Sequence, residues 1–535
     1  MSGASPDSTQ GSPSSTLPDV ATWGFDPEGT KGDFARLIPM SPLARTAFNE
    51  VVRKLCDRPD ALRHAQRFIH FEPVDAPDNE ESGDETPRET TVQRWCGCYR
   101  LNMGILPNNP NLGWVVGSSR PNLRENDADL LLTAEPVQHH VRGRHARFTH
   151  NRETGVLLVS ADTWTILVNG TIELCNTAFA ICEKTGLMFG DLNYTIELTD
   201  LDPETYQRQL REVYPQGRQP GPVLPNFSTP TPTPSLRTSA VNKYYIAPPR
   251  TGGVSSTVSH AFVMSTGASV AMKRMKRGSN NFASIKKDVE LLQSVNHRNI
   301  CRLVEPLGYE RLTGFRHGEC DEVTLVLTPF APPLSLHIRH QQPASWITSV
   351  FRRCFAGLDH LHQRGIMHRD IKLDNIGLAS VQPPRVVLLD FGHATRAETS
   401  TNHMRGTVRY LAPEVLALKE HPGAPAYTNL VDTWALGICL FEMFRESFIP
   451  WSAVSDSHYQ DLRTELRSEV RRPTNRYEDA TAAETLIWTM LRSIMWDPLQ
   501  RDPARYGLLA LGGEDHEGVP MGRNPVTGMK KRQDD

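Results

Sequence analysis

The sequence predicts two folded units in series, an all-β sandwich followed by a larger mixed α/β unit. Three observations carry this expectation. At 535 residues the chain is longer than one hydrophobic core usually supports. From about Trp95 to Thr199, short β-type runs such as Trp114-Val115-Val116, Thr165-Ile166-Leu167-Val168 and Tyr194-Thr195-Ile196-Glu197-Leu198 are separated by Gly, Asn and Asp. Beyond a stretch of recurring prolines (Pro203 to Pro234), the pattern is mixed to about residue 510, and Trp346, Ile347, Val350, Phe351, Cys354, Leu358 and Leu361 form one helical stripe that ends before Gly365.

Bulk properties narrow the classes. A formal net charge of -3 gives no global field that would draw the chain to nucleic acid or anionic lipid, so neither is an expected partner. The segment Met1 to Val20 lacks the basic cap and apolar run of a secretory signal, and no apolar run approaches a membrane span. Nine cysteines without paired metal spacing fit free thiols in a reducing compartment, hence an intracellular setting, nuclear or cytoplasmic.

Residues 1–40 are poor in large apolar side chains and read as disordered. Residues 41–94 read as short helices and an acidic linker: Ser41-Pro42 caps a helix with Leu43, Ala47, Phe48, Val51, Val52 and Leu55 on one face, and a second helix spans Leu62, Ala65, Phe68 and Ile69. The run Asp78-Asn79-Glu80-Glu81 reads as solvated linker. The sandwich is expected over 95–200, a Pro-rich linker over 201–240, the α/β unit over 241–510 and a polar tail over 511–535.

The strongest chemical signal is His368-Arg369-Asp370-Ile371-Lys372-Leu373-Asp374-Asn375, followed by Val386-Val387-Leu388-Leu389-Asp390-Phe391-Gly392. Asp370 suits a base for an attacking hydroxyl, Lys372 a counter-charge for a travelling phosphoryl group, and Asn375 and Asp390 hard oxygen ligands for Mg2+. Upstream, Ser269-Val270-Ala271-Met272-Lys273 offers a lysine on a strand for the phosphates of ATP. Downstream come Gly406-Thr407-Val408-Arg409-Tyr410-Leu411-Ala412-Pro413-Glu414, Asp432-Thr433-Trp434-Ala435-Leu436-Gly437 and Arg501. These motifs, in this order, resemble the eukaryotic protein kinase family over about residues 241–510.

The resemblance implies a two-lobed fold, ATP and Mg2+ as cosubstrate and cofactor, and protein substrates. It implies a structural pair between Glu414 and Arg501, a structural role for Asp432, and a hinge at Thr328-Pro329-Phe330 whose Phe330 amide meets adenine. Lys372 with Gly406-Thr407 is similar to the serine/threonine branch. Arg369 resembles the arginine that anchors a phosphorylated activation loop, with Thr399, Ser400 and Thr401 as the candidate hydroxyls.

Two departures bear on activity. Aligned back from Val258, the three family glycines become Thr251, Gly253 and Ser256, so only Gly253 remains to let the backbone approach phosphate. The helix after Lys273 carries Asp288 where the family has the glutamate that pairs with that lysine; Glu290 lies about 200° around the helix. The alternative reading is a pseudokinase that serves as a phosphosignal-binding scaffold.

In the β-rich region, Gly117-Ser118, Arg142-Gly143-Arg144-His145, Leu167-Val168-Asn169-Gly170 and Phe189-Gly190-Asp191-Leu192-Asn193-Tyr194 resemble a forkhead-associated (FHA) domain. The three phosphothreonine-facing positions of that family read Ser118, Arg142 and Thr163 or Trp164, so all three usual identities are absent. Arg120, Arg142 and Arg144 offer another phosphate clamp, which leaves phosphoproteins as candidate partners. The order of the two units is similar to the checkpoint-kinase arrangement.

Overall fold

A computed structural model describes residues 30, 32–57, 63–74, 94–119, 128–161, 164–182, 184–199, 201–213, 243–247, 256–276, 282–309, 322–338, 342–471 and 480–512. Gly253, Arg120, Thr163, the acidic run at 78–81, the Thr-Pro repeat at 229–234 and the tail beyond 512 lie outside them. In the first unit β1 (Ala35–Pro39), α1 (Pro42–Asp57) and α2 (Arg63–Gln66) precede β2 (Ile69–Val74) and β3 (Arg94–Leu101). Then come β4 (Trp114–Ser118), β5 (Leu130–Thr133), β6 (Ala146–His150), β7 (Leu157–Ala161), β8 (Ile166–Val168) and β9 (Ile172–Leu174). The unit ends with β10 (Thr177–Ile181), β11 (Thr185–Phe189), β12 (Leu192–Leu198) and α3 (Pro203–Val213).

These strands form a seven-stranded sheet, β2-β3-β1-β12-β11-β8-β9, and a five-stranded sheet, β10-β7-β6-β4-β5. Alternating inward side chains, among them Leu37, Trp114, Phe148, Phe189 and Tyr194, share one apolar core.

Three boundaries differ from the sequence reading. Ala35–Pro39, expected to be disordered, is a central strand whose Leu37 pairs with both Ile196 and Tyr99. Its Leu37 and Ile38 are fully buried, an apolar nucleus hidden in a polar segment. Ile69, expected in a helix, opens β2 against Tyr99. Pro203–Val213, expected in the linker, is a helix that buries Tyr206 and Leu210 in the sandwich core. The sandwich therefore draws on chain outside 95–200 at both ends.

The second unit has a small lobe of β13 (Tyr244–Ile246), β14 (Ser256–Val263), β15 (Ser269–Lys276), α4 (Phe282–Ser294), β16 (Arg302–Leu307) and β17 (Glu322–Thr328). Its antiparallel sheet runs β13-β14-β15-β17-β16. The large lobe contains α5 (Ala344–His362), the hairpin β18 (Ile376–Val381) and β19 (Pro384–Leu388), then α6 (Pro413–Glu420), α7 (Leu430–Arg445), α8 (Asp456–Arg471), α9 (Ala480–Ser493) and α10 (Ala504–Ala510). The stripe on α5 is buried and α7 is buried on nearly every side, with Trp434, Leu436, Ile438 and Leu440 inside, as befits a helix enclosed by others. Gly507 lets α10 close on α5, since a Cβ there would stand 2.5 Å from Phe355. No helix among the described residues is long and apolar enough to cross a membrane, and the described cysteines are all free.

Candidate active site

The loop after α5 is fixed from below by one buried carboxylate. Asp432, on the first turn of α7, accepts from the backbone amides of His368 at 2.8 Å and Arg369 at 2.7 Å, and lies 3.0 Å from His362 Nε2. Burial opposes its charge, yet these donors outweigh that and hold its pKa below the usual carboxylate value. Arg369 takes a left-handed conformation, φ 67°, which turns the chain so that Asp370 faces the cleft. Gly406 packs on that turn: a Cβ there would stand 2.6 Å from the Arg369 carbonyl.

Around Asp370 the polar groups converge. Thr407 Oγ1 donates to Asp370 Oδ1 at 2.8 Å, Asn375 Nδ2 to Oδ2 at 2.9 Å, and Lys372 Nζ lies 3.1 Å from Oδ2 and 2.9 Å from Thr407 Oγ1. Burial alone would push the Asp370 carboxyl up; Thr407, Lys372 and His368 together hold it below its ordinary value. It is therefore an ionised acceptor at neutral pH.

Lys273 Nζ lies 2.6 Å from Asp390 Oδ1, and Asp390 too is held low against its burial, chiefly by that lysine. Asp390 and Asn375 stand at the ends of β19 and of the turn before β18. Their oxygens suit Mg2+, a hard cation that takes few protein ligands and relies on phosphate and water for the rest. Among the described residues no cluster of three or more His, Cys, Asp or Glu is placed to hold a metal ion by itself.

The expected partnership of Lys273 with Asp288 is the point of difference. Asp288 is buried on α4 and its carboxylate faces Gly392, but the lysine's ion pair is with Asp390. One methylene fewer than glutamate leaves Asp288 short. Burial, with Asp390 adding to it, raises the Asp288 pKa to about 6. Folding then favours the protonated acid, so its stabilising contribution is complete below 3.8 and is lost as pH rises through about 6. Asp288→Asn is expected to raise the melting temperature at pH 7.5 and to leave it nearly unchanged at pH 4, as thermal melts at the two pH values would read. Glu290 is exposed and pairs with Lys286 at 3.8 Å.

Arg369 donates from Nε to the His393 carbonyl at 2.7 Å and directs Nη1 toward Ser400 Oγ at 3.5 Å and Tyr427 OH at 3.4 Å. Ser400 is held there by paired backbone bonds to Tyr427. Burial and the charges of Arg369 and Arg405 depress the Lys287 pKa, so three cations share this corner. Among the described residues no carboxylate lies within ion-pair distance of Arg369. Thr399 and Thr401 are exposed beside Ser400. Tyr427 and Lys287 are not singled out by the sequence, whose residue order carries no signal that they converge here.

Arg501, 3% exposed, bonds Glu414 at 2.7 and 3.1 Å and the carbonyls of Met495 and Leu430. Val258, opposite Lys273 on β14, is exposed. Leu327 pairs with Ala271 at the end of β17, and Phe330 follows. In the sandwich Arg142 lies over the Trp164 ring at 4.2 Å. Arg144 is exposed nearby in sequence, and Ser118 Oγ is buried and donates to the Val141 carbonyl at 3.0 Å.

Comparison with known proteins matches residues 251–505 to the protein kinase domain family. The chain is 32% identical over 191 residues to the serine/threonine-protein kinase TIO of Arabidopsis thaliana, covering 34% of this chain and 13% of that protein. It is 28% identical over 231 residues to a probable serine/threonine-protein kinase of Encephalitozoon cuniculi, covering 43% and 41%. With the serine/threonine-protein kinase shk1/pak1 of Schizosaccharomyces pombe the identity is 31% over 202 residues, covering 36% and 27%. The chain thus spans well under two thirds of the length of each of these relatives. A protein kinase domain with mixed helices and sheets occupies residues 251–505, preceded by a strand-rich unit.

Proposed function

We propose that the chain is a serine/threonine protein kinase that moves the γ-phosphoryl group of ATP onto a protein hydroxyl. The observation that carries this reading is the convergence of Thr407, Asn375 and Lys372 on one ionised carboxylate, Asp370. The hydroxyl oxygen of the substrate forms a bond to the γ-phosphorus as the bond to the β–γ bridging oxygen breaks, and Asp370 takes the hydroxyl proton. Lys372 neutralises charge on the phosphoryl oxygens, and Lys273 exchanges Asp390 for the α- and β-phosphates. Asn375 and Asp390 would hold Mg2+, which supplies positive charge to the phosphate oxygens. The Phe330 amide receives adenine. Phosphoamino-acid analysis of a basic-protein acceptor tests the branch: phosphoserine or phosphothreonine supports it, and phosphotyrosine alone overturns it.

Phosphate on Ser400 completes the basic corner. A dianion there satisfies Arg369, Lys287 and Arg405 and fixes the segment that carries Thr407. Phosphatase treatment is expected to lower turnover by about tenfold, and Ser400→Ala to reproduce the loss where Thr399→Ala and Thr401→Ala do not. Full activity of the dephosphorylated enzyme and of Ser400→Ala contradicts the switch.

The strand-rich unit we read as an FHA-like partner-binding domain with an altered ligand contact. Its Arg142 stacks on Trp164, and its Ser118 hydroxyl is committed to a carbonyl. Generic phosphothreonine peptides are therefore expected to bind weakly or undetectably in calorimetry. Micromolar binding abolished by Arg142→Ala would instead identify an arginine clamp.

A further inference from the structure

The turn between β14 and β15 is seated on the sandwich. Ala180 N, on the edge strand β10 of the five-stranded sheet, donates to the Met264 carbonyl of the small lobe at 2.7 Å. Asn151 Nδ2 donates to the Thr266 carbonyl at 2.7 Å, and the buried Thr154 Oγ1 to the Gly267 carbonyl at 2.8 Å. Gly267, at φ 65°, sits so close that a Cβ would meet Leu158, Asn151 and Val156 at 3.1 to 3.3 Å. Three hydrogen bonds, the one from Thr154 buried, together with the close fit of Gly267 favour one arrangement of this contact.

From this seat an aromatic series runs to the hinge. Phe262 of β14 is 4% exposed and belongs to the core of the sandwich, not to that of its own lobe. Two residues back, on the same face of the strand, the His260 ring lies 4.5 Å from it. His260 in turn stacks on Phe330, centroids 4.0 Å apart and planes at 12°. A bond between His260 Nε2 and Ser269 Oγ, 2.7 Å, holds the ring in place. Val258, one more step along that face, lies opposite Lys273.

We propose that the sandwich is a fixed brace for the nucleotide site, with Phe262 and His260 as positioning residues that transmit its docking to the hinge at Phe330. The proposal rests on the kinase reading for its ligand, but the mechanical link does not. Docking fixes β14 through Phe262; β14 sets the His260 ring; the ring sets the plane of Phe330 and with it the direction of the amide that meets adenine. The sandwich then belongs to the catalytic unit and is not a tethered module.

The experiment uses the full chain, with a fluorescent ADP analogue as ligand and hydrogen exchange followed in the segment 326–334. His260→Ala is expected to weaken ADP binding about fivefold, the scale of one aromatic pair, and to speed exchange in that segment. His260→Phe, which keeps the stack, restores both. The docking variant Asn151→Ala/Thr154→Val, distant from the cleft, reproduces both effects, and adding it to His260→Ala brings little more. Unchanged hinge exchange in both the docking variant and His260→Ala overturns the brace. Wild-type chain that binds no ADP overturns the kinase reading, while the exchange data still decide the link.

Discussion

Replacing Asp370 with asparagine is expected to lower phosphoryl transfer by about a hundredfold or more, with the melting temperature little changed. The amide keeps the shape of the carboxylate and can still accept from Thr407, but it cannot take the hydroxyl proton and carries no charge to pair with Lys372. Lys273→Met and Asp390→Asn are expected to lose at least as much, because each removes one half of the contact that orients phosphate and metal. Steady-state turnover at saturating ATP, with the melt as a control for folding, separates lost chemistry from lost structure.

The second large effect is on stability. Arg501→Met is expected to cost about 3–5 kcal/mol, the range for breaking one partner of a buried pair. Arg501 has no exposed side-chain surface and also bonds the Met495 and Leu430 carbonyls, while Glu414 keeps some access to water. Removing the cation strands a carboxylate and three carbonyls, those of Met495, Leu430 and Trp496; removing the anion by Glu414→Gln leaves the cation these carbonyls and an amide oxygen as acceptors, so its cost is smaller. The double variant is expected to lose less than the sum, since the two single losses share one interaction. Urea midpoints of the four proteins check the ordering.

The strand-rich unit, the mixed α/β unit and most residues of the candidate site are legible from residue order, and the reasons are local. Asp370, Lys372 and Asn375 lie within six positions, so their chemistry is written in one loop. Asp390 and Lys273 are each marked by a short strand beside them. What was hidden depends on long-range pairing. Ala35–Pro39 spans five residues, too few for alternation to stand out, and its partners are near residues 99 and 196. The helix at Pro203–Val213 is polar but for the side chains it buries in the sandwich. The spacing put Asp288 on α4, yet which carboxylate the lysine meets is fixed by packing, and here it is Asp390. The docking of the β14–β15 turn, made largely of backbone carbonyls, leaves almost no trace in side-chain identity.

The site is proposed to transfer phosphate despite its shortened acid and thinned glycine loop. The direct measurement is transfer of label from γ-labelled ATP to a basic-protein acceptor by the full chain, run with Mg2+ and with a chelator, beside Lys273→Met and Asp370→Asn. Mg2+-dependent labelling is expected at least about a hundredfold above both variants. Labelling by the wild-type chain no higher than by either variant would contradict it and make the kinase domain an inactive scaffold.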